Sequence, residues 1–193
     1  MRIYPHFNAE GKENSYLIGP DNGGRAIIID PAAVDTRLIS LIESHHYTIE
    51  ACLITHGHRR HTAGIPALLK IYDAKIYAAS PRVAGHDTVQ LFDGDTVSIA
   101  GFEIHVHSVP GHSPDSLVYR IGHALFTGDV LLAGRLGSTK SIAESRQLLE
   151  NVHSTFAHLD DNFLIYPGHG AATKMRTERI FNYDILKSEV TLY

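Results

Sequence analysis

The histidines between Leu53 and Gly64 carry the clearest chemical signal in the chain. The stretch reads Leu-Ile-Thr-His-Gly-His-Arg-Arg-His-Thr-Ala-Gly, and it places three imidazoles within six residues, directly after an apolar run typical of a strand. His56 and His58 lie two apart, and Gly57 leaves the turn between them unhindered. A turn leaving a strand can aim both rings at one divalent ion, which binds imidazole nitrogen at roughly 2.0–2.1 Å. These residues therefore predict a metal site.

Further side chains able to bind a metal stand where other apolar strands end. They are Asp30, His112, Asp129 and His169, the first followed by a proline and the others each preceded by a glycine. Each alone would be an ordinary loop residue held by hydrogen bonds. Together they repeat one design, a ligand-type side chain at a strand end, which is what a metal site on a rigid scaffold requires.

A predicted alternation of strands and helices positions these side chains. Strands are predicted over 2–7, 15–18 and 25–29, followed by a helix from Asp35 to about residue 46 and by strand 51–54. The remaining predicted elements are helix 65–71, strands 75–78, 96–99, 102–108, 116–121, 124–127 and 163–166, and helices 141–156 and 173–186. Short turns join the strands in the middle of the chain, so we expect these strands to be antiparallel.

Composition narrows the class of protein and of partner. The chain has 193 residues, of which 44% are apolar and 20% charged, and we expect one domain spanning residues 1–193. Its formal charge is −4 with no long run of like charge, which favours a small-molecule substrate over nucleic acid or a membrane surface. No window approaches the ~20 apolar residues of a membrane span, and the start lacks a signal-peptide core, so we expect a cytoplasmic protein. The lone Cys52 lies in an apolar run and is expected to be buried, and nothing indicates an oligomeric state.

Taken in order, these motifs make the chain resemble the metallo-β-lactamase superfamily. The match comprises Asp30, Thr-His-x-His-x-x-His, Pro-Gly-His-Ser-Pro, Thr-Gly-Asp and Pro-Gly-His-Gly. The Pro-Gly-His-Ser-Pro and Leu-Phe-Thr-Gly-Asp segments are most similar to those of glyoxalase II-like thioester hydrolases. The resemblance implies an α/β fold, an αββα sandwich of two mixed β-sheets flanked by helices, with a metal site at one edge.

The resemblance also implies which residues are ligands. In such proteins one metal is held by residues matching His56, His58 and His112, a second by those matching Arg60, His61 and His169, and Asp129 bridges both. Asp30 would support the histidine loop from behind. Asp115 stands where relatives often carry glycine, and we assign it no function because aspartate tolerates turns.

Arg60 departs from the family pattern His-x-His-x-Asp-His, because it places a guanidinium where a carboxylate ligand is usual. Arginine cannot ligate a cation, since it has no free lone pair and stays protonated. We therefore expect one tightly bound divalent metal, with zinc as the expected ion and iron as the alternative. Its predicted ligands are His56, His58, His112 and Asp129.

One metal is sufficient for hydrolysis. A zinc ion held by three histidines and a carboxylate lowers the pKa of a bound water toward ~7 and delivers hydroxide to a carbonyl. Arg60 is expected to hydrogen-bond Asp129 or Asp30 and to steady an oxyanion, the alternative being that it turns away to solvent. If Arg60 is held there, its charge disfavours the imidazolium form, so His61 and His169 are expected to stay neutral at pH 7 and to shuttle protons. The predicted catalytic residues are thus Asp129, Arg60, His61 and His169.

Three functions stay open at this point. The favoured one is a single-metal hydrolase of a small thioester or ester, resembling glyoxalase II. The second is a mononuclear iron oxygenase resembling persulfide dioxygenases, because two histidines and one carboxylate also suit ferrous iron. The third is a non-catalytic relative that binds a metal or another ligand. Glutathione is not the expected substrate, because the chain ends at Tyr193 without the further helical segment that binds the tripeptide in relatives.

Overall fold

The fold is that of a computed structural model describing residues 1–190, with side chains described to residue 186. Its strands are β1 (Arg2–Phe7), β2 (Asn14–Gly19), β3 (Gly24–Ile29), β4 (Tyr47–Leu53), β5 (Lys75–Ala78), β6 (Arg82–Val83), β7 (His86–Asp87), β8 (Val89–Gln90), β9 (Thr96–Ile99), β10 (Phe102–Ser108), β11 (Leu117–Ile121), β12 (Ala124–Gly128), β13 (Leu131–Leu132), β14 (Arg135–Leu136), β15 (Leu164–Pro167) and β16 (Thr173–Lys174). Its helices are α1 (Thr36–Ser44), α2 (Arg59–Thr62), α3 (Ile65–Leu68), α4 (Ile142–Phe156), α5 (Met175–Phe181) and α6 (Tyr183–Val190).

The long strands form two six-stranded mixed sheets. The first has the order β1-β2-β3-β4-β5-β8 and the second the order β16-β15-β12-β11-β10-β9. Strands β9 to β12 pair antiparallel, as predicted, whereas β3 pairs parallel with β4 and β12 pairs parallel with β15. Parallel neighbours end at the same edge of a sheet, so the residues that follow these strands are brought together.

Alternating apolar side chains build the layers. In β3, Ile27 and Ile29 face the core between the two sheets, whereas Ala26 and Ile28 face the layer of α1 and α3. A strand buried on both faces reads as a continuous apolar run, which is why the sequence predicted it. On the outer face of the second sheet, α4 contributes buried side chains at four-residue spacing: Leu148, Val152 and Phe156. The predicted αββα sandwich is therefore confirmed.

Side-chain caps fix the starts of two predicted helices. The Asp35 carboxylate accepts a hydrogen bond of 2.9 Å from the Leu38 amide at the start of α1. The Ser141 hydroxyl accepts one of 3.2 Å from the Glu144 amide at the start of α4. These bonds satisfy amide groups that have no partner inside the helix.

Predicted helices differ from the structure in three places. The predicted helix 173–186 is wrong as a single element, because β16 comes first and Asn182, with extended backbone, separates α5 from α6. The Asn182 side chain accepts hydrogen bonds from the amides of Asp184 and Ile185, which starts a new helix there. The predicted helix 65–71 is limited to α3, and the histidine loop contains the short α2, which was not predicted.

Cys52 lies in β4 and is fully buried, as predicted. Burial raises the pKa of its thiol to about 12. A protonated thiol in an apolar layer acts as a small packing residue.

Within residues 1–190, no helix has both the length and the apolar character needed to cross a bilayer.

Candidate metal centre

The predicted ligands lie at the edge where the two sheets meet. Asp30 follows β3, His56 and His58 follow β4, Asp129 follows β12 and His169 follows β15. Hydrogen bonds join the sheets at this edge: the Leu117 amide donates to the Thr55 carbonyl at 2.7 Å, and the Tyr119 hydroxyl donates to the Ile54 carbonyl at 2.8 Å. The ends of strands from both sheets are thereby held together.

Three histidines form the first cluster of the centre. One nitrogen each of His56, His58 and His112 lies within 4.8 Å of the others. Nδ1 of His58 is 3.1 Å from Nε2 of His112. The ring centroid of His56 is 4.5 Å from that of His58 and 4.9 Å from that of His112. The structure thus brings together the three histidines predicted to hold the metal.

Backbone carbonyls fix the orientation of two rings. Nδ1 of His112 lies 2.7 Å from the carbonyl oxygen of Ser138, and Nδ1 of His169 lies 2.8 Å from that of Lys12. Because a carbonyl only accepts, each Nδ1 must carry the proton, and each neutral ring keeps its lone pair on Nε2. Such outer hydrogen bonds orient imidazoles that ligate a metal.

Asp129 lies between the first cluster and a second one. The second cluster comprises His61, Asp129 and His169, whose ligand atoms again lie within 4.8 Å of one another. Oδ1 of Asp129 is 3.5 Å from Nε2 of His61, and Oδ2 is 3.5 Å from Nε2 of His169 and 3.6 Å from Nε2 of His112. This is the place that the family resemblance implied for a bridging carboxylate.

Unpaired buried atoms show that the centre fits a metal ion. Among the described side chains, Nε2 of His56, Nε2 of His61 and Oδ1 of Asp129 are buried without a hydrogen-bond partner. Leaving such atoms unpaired is costly, and they are of the types that ligate zinc or iron. A Cβ atom at Gly168 would come within 2.5 Å of Asp129 Oδ1, so the backbone packs directly against the centre. The residues present therefore suit a divalent ion.

Two rings of the first cluster, those of His56 and His58, are neutral. Burial, reinforced by the nearby His61, lowers the pKa of His56 to about 4. Burial and the neighbouring His112 also lower the pKa of His58. Neutral imidazole is the form that binds a metal, so these rings need not release a proton to do so.

The expectation that His61 stays neutral is wrong for the metal-free protein. Burial favours the neutral ring, but the close approach and negative charges of Asp129 and Asp30 outweigh it and raise the pKa of His61 to about 10. Burial would likewise raise the pKa of Asp129, but His61 and His169 hold it well below its usual range. His61 lies between two carboxylates, which stabilise its cation more than burial destabilises it.

Asp30 makes the contacts expected of a residue that supports the histidine loop. Its Oδ1 accepts a hydrogen bond of 2.8 Å from the Thr55 amide, and its Oδ2 accepts one of 2.6 Å from the Thr55 hydroxyl. The same Oδ2 is 3.2 Å from Nδ1 of His61. Asp30 is buried and thus fixes the turn from behind.

The predicted hydrogen bond from Arg60 to Asp30 or Asp129 is wrong. Nε of Arg60 is 3.9 Å from Oε1 of Glu13, and the Arg60 side chain is 75% exposed. The carboxylate of Asp30 is already engaged by Thr55 and His61, and that of Asp129 lies among histidines. Glu13 is completely buried and attracts the guanidinium instead. The prediction that Arg60 is catalytic therefore rests on the sequence alone.

Asp115 is a functional candidate that the sequence analysis missed. Its Oδ2 accepts hydrogen bonds from the Gly57 amide at 2.8 Å and the Ser80 hydroxyl at 3.3 Å, and its Oδ1 accepts one from the Ser113 hydroxyl at 2.7 Å. It therefore ties the turn between His56 and His58 to the loop that carries His112. The one signal in the sequence was the departure from the glycine that relatives often carry.

Comparison with known proteins agrees with this geometry. The family model described as the metallo-beta-lactamase superfamily matches residues 9–169. A hydroxyacylglutathione hydrolase from Anaeromyxobacter dehalogenans is 31% identical over 164 residues, which cover 84% of this chain and 63% of the hydrolase. The chain thus spans less than two thirds of that relative.

Solved structures share the fold. The crystal structure of ETHE1 from Myxococcus xanthus superposes with a TM-score of 0.85 at 28% identity, covering 100% of this chain and 91% of that one. The crystal structure of the BLEG-1 B3 metallo-beta-lactamase superposes with a TM-score of 0.86 at 23% identity, covering 95% of this chain and 99% of that one. The family match spans every residue predicted for the site, from Asp30 to His169, and the chain belongs to the metallo-β-lactamase superfamily.

Proposed function

We propose that the protein hydrolyses a small thioester or ester with one divalent metal, zinc being the expected ion. The observation that carries the proposal is the convergence of His56, His58 and His112 beside the carboxylate of Asp129. Likeness to a hydroxyacylglutathione hydrolase supports a thioester among the possible acyl compounds.

His56, His58, His112 and Asp129 would hold the ion. When bound, it supplies a Lewis acid that polarises the substrate carbonyl and makes water a stronger acid. Hydrolysis forms a bond between the water oxygen and the acyl carbon and breaks the bond from that carbon to sulfur or oxygen. One proton of the water goes to the leaving thiol or alcohol, and the other is released as the carboxylate product ionises.

The second cluster handles protons in this proposal. His61 holds one on the ring between Asp30 and Asp129, within reach of a leaving group at the centre. His169 is 27% exposed, and its Nε2 lies 3.5 Å from Asp129, so it can pass protons between the carboxylate and solvent.

Turnover by metal-loaded protein tests the function. We expect zinc-loaded protein to release thiol from the butyryl thioester of N-acetylcysteamine, and the His56→Ala variant to lose this activity. The matched control is His105→Ala, because His105 lies on β10 outside both clusters. A zinc-loaded protein with no turnover on a panel of small thioesters and esters would contradict the proposal and favour a non-catalytic relative.

An iron oxygenase is the second candidate function. The specific observation in its favour is that His61, His169 and Asp129 form a two-histidine, one-carboxylate cluster, an arrangement that suits ferrous iron. Protein purified without added metal would then contain iron and consume oxygen when given a persulfide. Zinc content with thioester turnover and no oxygen consumption would rule this candidate out.

A further inference from the structure

Arg60 presents an exposed guanidinium with unused hydrogen-bond donors. A guanidinium carries five N–H groups in a planar fork. Within residues 1–190, none of those on Arg60 makes a hydrogen bond, and its one ion pair, with Glu13, is long at 3.9 Å. The side chain thus retains the capacity to bind an acceptor from solution.

Glu13 fixes where this guanidinium lies. Its carboxylate is completely buried; Oε2 accepts a hydrogen bond of 3.0 Å from Asn8, whereas Oε1 has no hydrogen-bond partner. A buried carboxylate with a free oxygen requires a cation nearby. Arg60 is the cation that the described chain provides, and it approaches through Nε. Its two terminal nitrogens are left for another partner.

The guanidinium is linked to the second cluster through Glu13. Glu13 is paired with His169 across an isolated antiparallel bridge. Residues directly opposite in such a bridge have Cβ atoms about 4.5–5.5 Å apart and point to the same face. Arg60 also immediately precedes His61 in the chain. An anion bound by Arg60 would therefore lie near Glu13 and its bridge partner His169, at the edge of the second cluster.

We propose that Arg60 binds a carboxylate group of the substrate. This inference rests on the proposed hydrolase function and names its substrate class, a small thioester or ester that also carries a carboxylate near the scissile bond. The planar fork of arginine matches a carboxylate in a bidentate way. Asp30 and Asp129 do not compete for Arg60, because histidines and Thr55 already occupy them. Arg60, which stands where the family usually has an aspartate ligand, thus provides a site for an anion.

Matched thioesters test this proposal on the zinc-loaded protein. One pair is the succinyl and butyryl thioesters of N-acetylcysteamine, which differ by a carboxylate on the acyl side. The other is the butyryl thioesters of mercaptopropionate and propanethiol, which differ by a carboxylate on the thiol side. In at least one pair we expect kcat/KM to favour the carboxylate about tenfold, as one charge-assisted bidentate contact allows. Arg60→Gln should bring this ratio close to one.

Arg59→Gln is the matched control, because Arg59 is the neighbouring exposed arginine and makes no ion pair within the described chain. It should keep the preference of the unchanged protein. An unchanged ratio in Arg60→Gln, or no preference for a carboxylate in either pair, would overturn the proposal. Absence of any thioester turnover would count against the hydrolase function instead, and the binding measurement below would still decide on the anion site.

Binding is measured on metal-free protein by calorimetry with monomethyl succinate, which carries one carboxylate. Arg60→Gln should weaken binding about tenfold, equivalent to about 1.4 kcal/mol, and Arg59→Gln should not. The double variant Glu13→Gln with Arg60→Gln separates binding from folding. It removes the buried charge as well as its partner, so it should regain thermal stability lost in Arg60→Gln without regaining affinity. Recovery of affinity in the double variant would show that Arg60 acts only through the fold.

Discussion

The two clusters of the metal centre contain similar side chains but differ in charge. His56 and His58 are neutral, because burial lowers the pKa of both rings. His61 in the other cluster is a cation in the metal-free protein, paired with the carboxylates of Asp30 and Asp129. An ion can bind His56 and His58 without displacing a proton from a cationic ring, whereas in the second cluster it must compete with the proton on His61. Metal affinity therefore depends on whether a ligand is already protonated and ion-paired, and not only on the number of ligands.

Removing a ligand of the first cluster should have the largest effect, which is on the amount of bound metal. We expect His56→Ala or His112→Ala to lower tightly bound metal from about one equivalent to near zero, because too few ligands would remain for a closed site. Elemental analysis after gel filtration measures the metal, and circular dichroism checks the fold. His105→Ala should keep its metal. Full metal in either ligand variant would make the assignment of this cluster wrong.

Changing the charge at position 60 should alter the number of metal ions bound per chain. We expect the unchanged protein to hold one equivalent of metal and Arg60→Asp to approach two, because a carboxylate would join His61, His169 and Asp129. Arg60→Gln is the control, since it removes the positive charge without adding a ligand, and it should stay near one equivalent. Two tightly held ions in the unchanged protein would refute the expectation.

Removing a hydrogen bond that holds the loop of the first cluster should have an intermediate effect on metal affinity. Asp115→Ala removes the acceptor for the Gly57 amide, and we expect metal affinity to fall about tenfold, as is usual for outer-shell partners of metal ligands. Asp115→Asn retains an oxygen acceptor and should lose less. The matched control is Asp93→Ala, because Asp93 accepts a similar bond from the Ser108 amide outside the centre. Metal affinity is measured by competition with a chelator. If Asp115→Ala and the unchanged protein have equal affinities, Asp115 stabilises only its own turn and not the metal site.

The cationic His61 of the second cluster should make protein stability depend on pH, and this is the smallest effect that we expect. The pKa of His61 is about 10 in the folded metal-free protein, against about 6.5 when unfolded. Its contribution is therefore complete below about pH 6.5 and is lost as pH rises toward 10. We expect the melting temperature of metal-free protein to fall over this range, and to fall less in His61→Gln. The same slope in both proteins would contradict a cationic His61.

The sequence was sufficient for the fold and for the location of the centre. Strands buried on both faces, such as 25–29, read as continuous apolar runs, and ligand-type residues at their ends are brought together by parallel pairing. Both features, the apolar run and the ligand-type residue at its end, can be recognised from a few consecutive residues. The fold then needs only to bring the ends of the strands together. Asp30 and His56 could therefore be predicted to meet without knowledge of side-chain packing, whereas their meeting with His169 of the other sheet was implied by the family resemblance.

Contacts between distant loops could not be predicted in this way. Glu13 lies in the turn between β1 and β2, and nothing in its local sequence links it to Arg60 in α2. A long arginine side chain can reach many carboxylates, so its partner depends on which of them is already occupied. Asp115 was missed because the residue preferences of a turn are the same whether or not its carboxylate holds a second loop.

The hydrogen bonds that join the sheets beside the centre have a consequence for folding cooperativity. The loop after β4 of the first sheet and the loops after β10 and β12 of the second supply the predicted ligands, so neither sheet alone contains a complete site. An ion that binds only the finished arrangement stabilises it by mass action over every partly opened form. Local opening of either sheet edge must then release the ion, and amide hydrogen exchange in both edges should slow together when metal is added.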